Sequence, residues 1–248
     1  MSELGRGMRD MGRGFAFLNE HPRLWGWVIA PAVITLLLVT ALVVVASRLL
    51  THVLASLTAH LPSWLAGAAS RALAPLVVGA LLAGALFVFV ALAGLITGPF
   101  CERLSEAVDV QLTGHEGPPF SLPRFLWELA ISIAHSLRRL IASVVGAIFL
   151  FALSFVPVVG TIAAIVLGGW FAARAAAYDS YDAVLARRAL PYREKWAYLD
   201  MYRSRTLGLG ATVAGLLLVP GVNLVALGVG AVGATLATHE LAAAAPQR

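Results

Sequence analysis

The sequence predicts an all-α integral membrane protein with two long transmembrane helices, two proline-tipped helical hairpins that insert halfway, and amphipathic cytoplasmic helices. Of its 248 residues, 60% are hydrophobic and 12% are charged, whereas soluble domains carry roughly 45–50% apolar and about 25% charged residues. Apolar runs recur almost to the C-terminus, so we expect a single membrane domain over residues 1–248. The formal charge of +5 comes from Lys and Arg clusters beside these runs, which indicates loops facing anionic lipid rather than nucleic acid.

The N-terminal part predicts a short interfacial helix over residues 13–22, followed by the first transmembrane helix over 24–47. Residues 24–46 carry no charge, and their core of about 19 residues gives roughly 28 Å of helix, close to the thickness of a hydrocarbon layer. Trp25 and Trp27 fit the aromatic belt at the lipid interface. The run is too long for a cleavable signal peptide, so we expect the N-terminus to be retained.

The second transmembrane helix is predicted over residues 75–98, after an interfacial helix-turn-helix over 48–71. It contains Gly94 and ends before Pro99, which lacks a backbone donor and restricts the residue before it. We therefore expect the helix to stop or bend at Pro99.

Two cytoplasmic helices are predicted next in the chain. Leu104, Val108 and Leu112 recur at helical spacing, which is typical of an amphipathic surface helix over residues 101–112. Residues 122–140 mix charged and apolar side chains and predict the second.

Two apolar segments interrupted by proline follow. Runs of about 16 and 14 residues flank Pro157, too short for comfortable crossing, and predict a half-inserted hairpin over 141–173. A matching pair flanks Pro220 and predicts a hairpin over 207–238. A pair of thin, tilted spans is the alternative for each.

The loop charges fix the sides of the membrane but not the depth of the hairpins. If both hairpins open to the cytoplasm, 16 of the 18 Lys and Arg residues lie there with both termini, leaving Arg48 and Arg71 outside. The positive-inside rule favours this arrangement. It holds equally for pairs of short spans, because each pair returns the chain to the same side.

The hairpin tips supply four of the predicted structural hinges, Pro157 with Gly160 and Pro220 with Asn223, and the second transmembrane helix supplies the other two, Gly94 and Pro99. Short segments interrupted by Pro or Gly in matching positions are a sequence sign of a transport site. They are equally compatible with tight turns that have no other role. Asn223 can cap the following helix or face a permeant species.

Arginines at the edges of the hairpins are the candidate substrate-binding residues. Arg138 and Arg139 precede the first hairpin, and Arg203 and Arg205 precede the second. Guanidinium groups bind oxyanions through paired hydrogen bonds, so these side chains could concentrate anions at a pore entrance. Anchoring to lipid phosphate is the alternative interpretation.

The sequence predicts no enzyme, no cofactor and no metal site. Asp179 and Asp182 share a helical face, but no further ligand completes a metal set, so salt bridging or solvation is expected. The nucleophile elbow, the phosphate-binding loop, the His-Glu-x-x-His motif and paired cysteines are all absent. The single cysteine, Cys101, cannot form an internal disulfide.

Several motifs, taken in order, resemble the CysZ family of bacterial sulfate permeases and the wider group of etoposide-induced membrane proteins. The residues that carry the resemblance are Gly94-Leu-Ile-Thr-Gly-Pro-Phe100, Glu102, Glu106, residues 170–181, Pro191-Tyr-Arg-Glu194, Pro220-Gly-Val-Asn223 and Gly233-Ala-Thr235. The resemblance implies two long transmembrane helices with two half-inserted hairpins. It also implies a homo-oligomer with a passive or gradient-driven sulfate path that feeds cysteine synthesis.

The resemblance also implies a sulfate contact near the N-terminus. In the family a glycine followed closely by arginine contacts sulfate, and the matching stretch here is Arg13-Gly14-Phe15-Ala16, where the arginine precedes the glycine. On this hypothesis Arg13 and Gly14 attract the ion, and Arg203 and Arg205 line the entrance.

A polar network of Glu102, Arg103 and Glu106 is expected to order the cytoplasmic helices, with the glutamates pairing with nearby arginines. The first functional hypothesis is a multi-pass cell-membrane transporter or channel for a small inorganic oxyanion, with sulfate as the expected ion. The second is a nonconducting structural or assembly protein that binds membrane lipid or partner proteins.

Overall fold

The computed structural model describes residues 2–58, 63–114, 141, 144–156, 158–188, 190–219 and 222–244, and over these residues it is all-helical. A 3₁₀ turn, Pro22–Leu24, precedes the second helix. The helices are α1 (Glu3–Glu20), α2 (Trp25–Thr58), α3 (Ser63–Thr113), α4 (Val144–Ser154), α5 (Val159–Arg187), α6 (Tyr192–Met201), α7 (Arg203–Leu217) and α8 (Asn223–Ala244).

The N-terminal helix α1 begins well before the predicted start at residue 13. Ser2 explains the early start, because its Oγ accepts a hydrogen bond of 3.3 Å from the backbone amide of Gly5. Glu3 places a negative charge in the first turn, where it interacts favourably with the positive end of the helix dipole. The helix ends at Glu20, two residues before Pro22.

Three of the described helices are long and apolar enough to cross a membrane. They are Pro22–Leu49, Val159–Arg187 and Val225–Ala244. The first matches the predicted transmembrane helix over residues 24–47. The predicted helix over 75–98 lies within α3, and many of its side chains lie outside the described set. The predicted helix over 122–140 falls outside it altogether.

Of the two outcomes expected at Pro99, a stop is wrong, because α3 continues through Gly98 and Pro99 to Thr113, while a bend stays a prediction. A proline inside a helix removes one backbone hydrogen bond and crowds the carbonyl of residue i−4, which can kink the helix without ending it. The turns after Pro99 are also held by burial of Leu104 and Val108, which are both 0% exposed. The predicted amphipathic helix over residues 101–112 is therefore the end of α3.

Helix α5 is longer than the predicted second leg of the first hairpin. It runs for 29 residues, or about 43 Å at 1.5 Å per residue. Beyond Phe171 its surface changes from exposed to buried at Ala173, Ala176 and Ala177. The charge of Arg174 is accommodated by an ion pair with Asp200 at 2.8 Å, so the polar residues do not end the helix.

The turn between α4 and α5 lies at residues 155–158, as expected for a hairpin, although Pro157 itself lies outside the described residues. Val158 has a φ of 62°. A Cβ on Gly160 would overlap the backbone oxygen of Leu153, so a glycine is needed for the close return of the chain. Gly168 lies beside Leu150 further along, which places the two helices antiparallel.

The helices form two compact units. One comprises Pro31–Ile96 and contains parts of α2 and α3. The other comprises Met1–Ala30 with Thr97–Arg248, and its most extensively packed helix pairs are α1 with α7, α1 with α8, α5 with α7 and α5 with α8. Its fully buried side chains include Leu18, Leu104, Val108, Tyr178, Tyr181, Leu185, Leu209, Val213 and Val232.

Candidate functional site

The candidate site is a cluster of four charged residues where α1, α7 and α8 meet, which we call the ionic quartet. It consists of Asp10 and Arg13 on α1, Arg205 on α7 and Glu240 on α8. Two guanidinium groups and two carboxylates alternate, so their formal charges cancel. This neutrality allows charged groups to lie among packed helices.

Asp10 and Arg205 form the buried half of the quartet. The Asp10 side chain is 0% exposed and that of Arg205 is 3% exposed. Arg205 donates from Nε to Asp10 Oδ2 at 2.8 Å and from Nη2 to Oδ1 at 3.0 Å. Arg13 adds a third donor to Asp10 Oδ1 at 3.0 Å. This two-pronged pairing fixes the orientation of the guanidinium group, and the hydrogen bond to Asp10 raises the pKa of Arg205.

Arg13 and Glu240 form the accessible half, with side chains 47% and 42% exposed. Glu240 Oε2 accepts a hydrogen bond of 2.5 Å from Arg13 Nη1 and one of 2.8 Å from Arg205 Nη2. Two guanidinium groups therefore converge on one carboxylate oxygen at a point that solvent can reach.

Glycines bring the three helices close enough for these bonds. A Cβ on Gly7 of α1 would overlap the backbone oxygen of Arg205. A Cβ on Gly14 would lie 2.6 Å from the backbone oxygen of Val229, and one on Gly233 would lie 2.5 Å from that of Asp10. Larger residues would separate the helices and with them the quartet. Gly14, predicted to contact an anion, therefore has an observed role in packing α1 against α8.

A buried tyrosine from α5 lies next to the quartet. Tyr181 is 0% exposed and lies within electrostatic range of Asp10 and Arg205. Its hydroxyl has no hydrogen-bond partner among the described residues. The packing around the quartet is thus contributed by all four of the closely packed helices.

A second ionic cluster joins the C-terminal parts of α3, α5 and α8. Asp109 on α3 contacts Arg187 on α5 through Oδ2, and its Oδ1 lies 2.5 Å from His239 Nε2 on α8. Each contact joins residues that are far apart in the chain. The cluster therefore ties the three helix ends together.

The predicted polar network on α3 is described in part. Arg103 donates from Nη1 to Glu106 Oε2 at 2.7 Å, one helical turn along α3. Glu102 lies on the same turn of α3. This pair stays within one helix, whereas the Asp109 cluster connects different helices.

The other predicted residues are dispersed. Arg203 is exposed at the start of α7, and Asn223 is the half-buried first residue of α8. Gly94 lies within α3. Outside the described residues lie Arg138, Arg139, Pro157 and Pro220.

Asp182, one of the two aspartates considered for a metal site, forms an ion pair. Lys195 Nζ, on a side chain 7% exposed, donates to Asp182 Oδ1 at 2.6 Å. The described part of the chain contains no group of three or more metal-ligating side chains. The expected salt bridge of Asp182 is therefore confirmed.

Sequence reasoning selected Arg13 and Arg205 but missed the two carboxylates between them. A signal existed for Asp10, because an Asp three residues before an Arg faces the same side of a helix. Glu240 gave a weaker signal, as a single carboxylate in the last turns of an apolar helix.

Comparison with known proteins gives consistent matches over most of the chain. A family model described as "Sulfate transporter CysZ/Etoposide-induced protein 2.4" matches residues 10–227. A Pseudomonas paraeruginosa protein named Sulfate transporter CysZ is 32% identical over 234 residues, covering 93% of each chain. A protein of that name from Pseudomonas fluorescens strain Pf0-1 is 32% identical over 219 residues, 87% of this chain and 86% of that one. The Pectobacterium atrosepticum protein is 28% identical over 176 residues, 71% and 64% of the two chains.

Proposed function

Because the chain belongs to the sulfate transporter CysZ/etoposide-induced protein 2.4 family, we propose that it transports sulfate across the cell membrane. The relatives are named sulfate transporters, which favours transport over the nonconducting structural alternative and over an enzyme. The observation that carries the proposal is the convergence of Arg13 and Arg205 on one accessible carboxylate oxygen.

The chemical argument concerns the cost of removing water from a divalent anion. A buried ion without replacement partners is strongly destabilised. Guanidinium groups offer several donors in a fixed plane and stay charged, so a pair of them is suited to an oxyanion. The proposed path has Arg13 at the attracting site, where the packing of Gly14 against α8 holds it, with Arg138, Arg139 and Arg203 at its entrance and Arg205 inside. Transport along it is passive or driven by a gradient.

The proposed membrane arrangement is the one expected from the sequence, and it keeps the hairpins half-inserted although α5 and α8 each contain a segment long and apolar enough to cross a membrane. α2 and α3 cross fully, while the α4–α5 and α7–α8 hairpins insert halfway from the cytoplasmic side, where both termini lie. Exposed apolar side chains at the first tip support insertion, because Phe155, Val158 and Val159 are all more than 70% exposed. We propose that the protein contacts membrane lipid on these surfaces, assembles as a homo-oligomer and does not bind nucleic acid.

Uptake of radiolabelled sulfate by liposomes containing the purified protein tests the transport proposal. Uptake should exceed that of empty liposomes. Arg13→Gln should lower it about tenfold or more, because one charge-assisted hydrogen bond contributes roughly 1.5–3 kcal/mol. Arg193→Gln removes the same charge from an exposed position on α6 and should leave uptake unchanged. Flux equal to that of empty liposomes would contradict the proposal.

Cysteine labelling tests the depth of the first hairpin separately. Val158→Cys places a thiol at its tip, where a membrane-impermeant maleimide added from the extracytoplasmic side should not react. Rapid labelling from that side would favour two full crossings over half-insertion.

A further inference from the structure

We infer that Glu240 is a resident carboxylate occupying an oxyanion position between Arg13 and Arg205, and that sulfate binds there by displacing it. The inference rests on the proposed function and adds a residue that sets the affinity for the ion. The matched family span ends at residue 227, before Glu240.

The geometry at Glu240 Oε2 is that of a bound oxyanion. Its two hydrogen bonds, 2.5 Å from Arg13 and 2.8 Å from Arg205, come from guanidinium groups on different helices. A sulfate oxygen offers the same acceptor chemistry as a carboxylate oxygen, with negative charge and several lone pairs. Donors that already surround one oxyanion need little rearrangement to bind another.

Glu240 is the member of the quartet that can leave. Its side chain is 42% exposed and both of its described hydrogen bonds go to the two arginines. It lies one turn before the end of α8 at Ala244. Asp10, by contrast, is fully buried and accepts three hydrogen bonds. Displacement of Glu240 would therefore leave the bidentate Asp10–Arg205 pair holding the helices.

The charges favour exchange over simple addition. With Glu240 in place the quartet is neutral, so a divalent anion gains little by approaching it. When Glu240 turns away, two guanidinium groups face one carboxylate, and a net positive charge remains for the ion. The apparent affinity is then reduced by the fraction of molecules in which Glu240 is displaced. When Glu240 returns to the two guanidinium groups, it competes with the bound sulfate and assists its release. A conducting site needs such a release step, since the ion must leave as well as enter.

Isothermal titration of sulfate into protein in phospholipid-free detergent tests the inference, with chloride at equal ionic strength as the reference. Glu240→Gln should lower the Kd for sulfate about tenfold, because the competing carboxylate is gone. Glu3→Gln removes the same charge from an exposed pair with Arg6 and should leave the Kd unchanged. In the double variant Arg13→Gln, Glu240→Gln the gain should disappear. A Kd for Glu240→Gln equal to or weaker than that of Glu3→Gln would overturn the inference.

The outcomes separate this inference from the proposed function. If the wild type transports sulfate but Glu240→Gln binds it no more tightly, the inference fails and the function stands. If no sulfate flux occurs but Glu240→Gln binds sulfate more tightly, the function fails and the site stands. Absence of both flux and binding overturns both. Tighter binding of phosphatidylglycerol alone to Glu240→Gln would assign the position to a lipid phosphate and overturn the sulfate assignment.

A measurement on the wild type covers the case in which Glu240→Gln does not fold. Carbodiimide coupling of glycine ethyl ester to Glu240, read by peptide mass spectrometry, should increase in sulfate relative to chloride at equal ionic strength. Coupling at Glu3 should be the same in both salts. Equal coupling of Glu240 in the two salts would contradict displacement.

Discussion

Replacing Asp10 with Asn would remove the negative charge at the buried centre of the quartet while keeping the size of the side chain. Asp10 is 0% exposed and accepts three hydrogen bonds from Arg13 and Arg205. Breaking a buried ion pair by neutralising one partner costs roughly 3–5 kcal/mol. Arg205 keeps its hydrogen bond to Glu240, so we expect the lower end, about 3 kcal/mol. At about 2–4 °C per kcal/mol for a domain of this size, Tm should fall by roughly 6–12 °C.

Thermal unfolding in detergent, followed by tryptophan fluorescence, measures this shift. Glu3→Gln is the matched control, because the Arg6–Glu3 pair also lies on α1 but its side chains are 49% and 48% exposed. An exposed pair contributes no more than about 1 kcal/mol. The double variant Asp10→Asn, Arg205→Gln should be less destabilised than the sum of its single changes. Equal Tm shifts for Asp10→Asn and Glu3→Gln would refute the reasoning.

Three further predictions concern other positions. Gly7→Ala should lower Tm, because the added methyl group would overlap a carbonyl oxygen of α7. Gly12→Ala adds its methyl group in open space and should leave Tm unchanged. Equal Tm shifts for the two variants would contradict the close packing of α1 against α7. Burial, with smaller contributions from neighbouring carboxylates, raises the pKa of the Cys101 thiol from 9.0 to about 12. At pH 8 the fraction of Cys101 present as thiolate should therefore be about a thousandfold lower than that of a cysteine with the ordinary pKa. Iodoacetamide at pH 8 should therefore label Met201→Cys, which is at an exposed position, and leave Cys101 unmodified until denaturation; similar rates would refute this. Val158→Gly should raise Tm by relieving the positive φ of a β-branched residue, and a lower Tm would argue against that strain.

Local sequence predicts where some of the helices end, but not where others continue. The turn near Pro157 was predictable because proline and its neighbours have few backbone options. The continuation of α3 through Pro99 was not, since it depends on burial of Leu104 and Val108 by other parts of the chain. Likewise α5 extends past Arg174 because Asp200, from a different helix, neutralises that charge.

The quartet shows the same division at the level of the site. The sequence indicated that Arg13 and Arg205 could bind an oxyanion, because guanidinium chemistry is a property of the residue itself. It did not indicate that they meet, because Asp10 and Arg205 are separated by 195 positions and Arg13 and Glu240 by 227. No local pattern encodes such a distance.

The sequence by itself determined that lipid is the solvent of much of this chain and that helices are its structural element. Both follow from composition, since apolar runs without charges satisfy their backbone only as helices within a bilayer. Only the tertiary structure decided which charges are neutralised and which carboxylate occupies the space between the two arginines. Those outcomes depend on the close approach of α1, α7 and α8 at glycines, which brings together side chains from opposite ends of the chain.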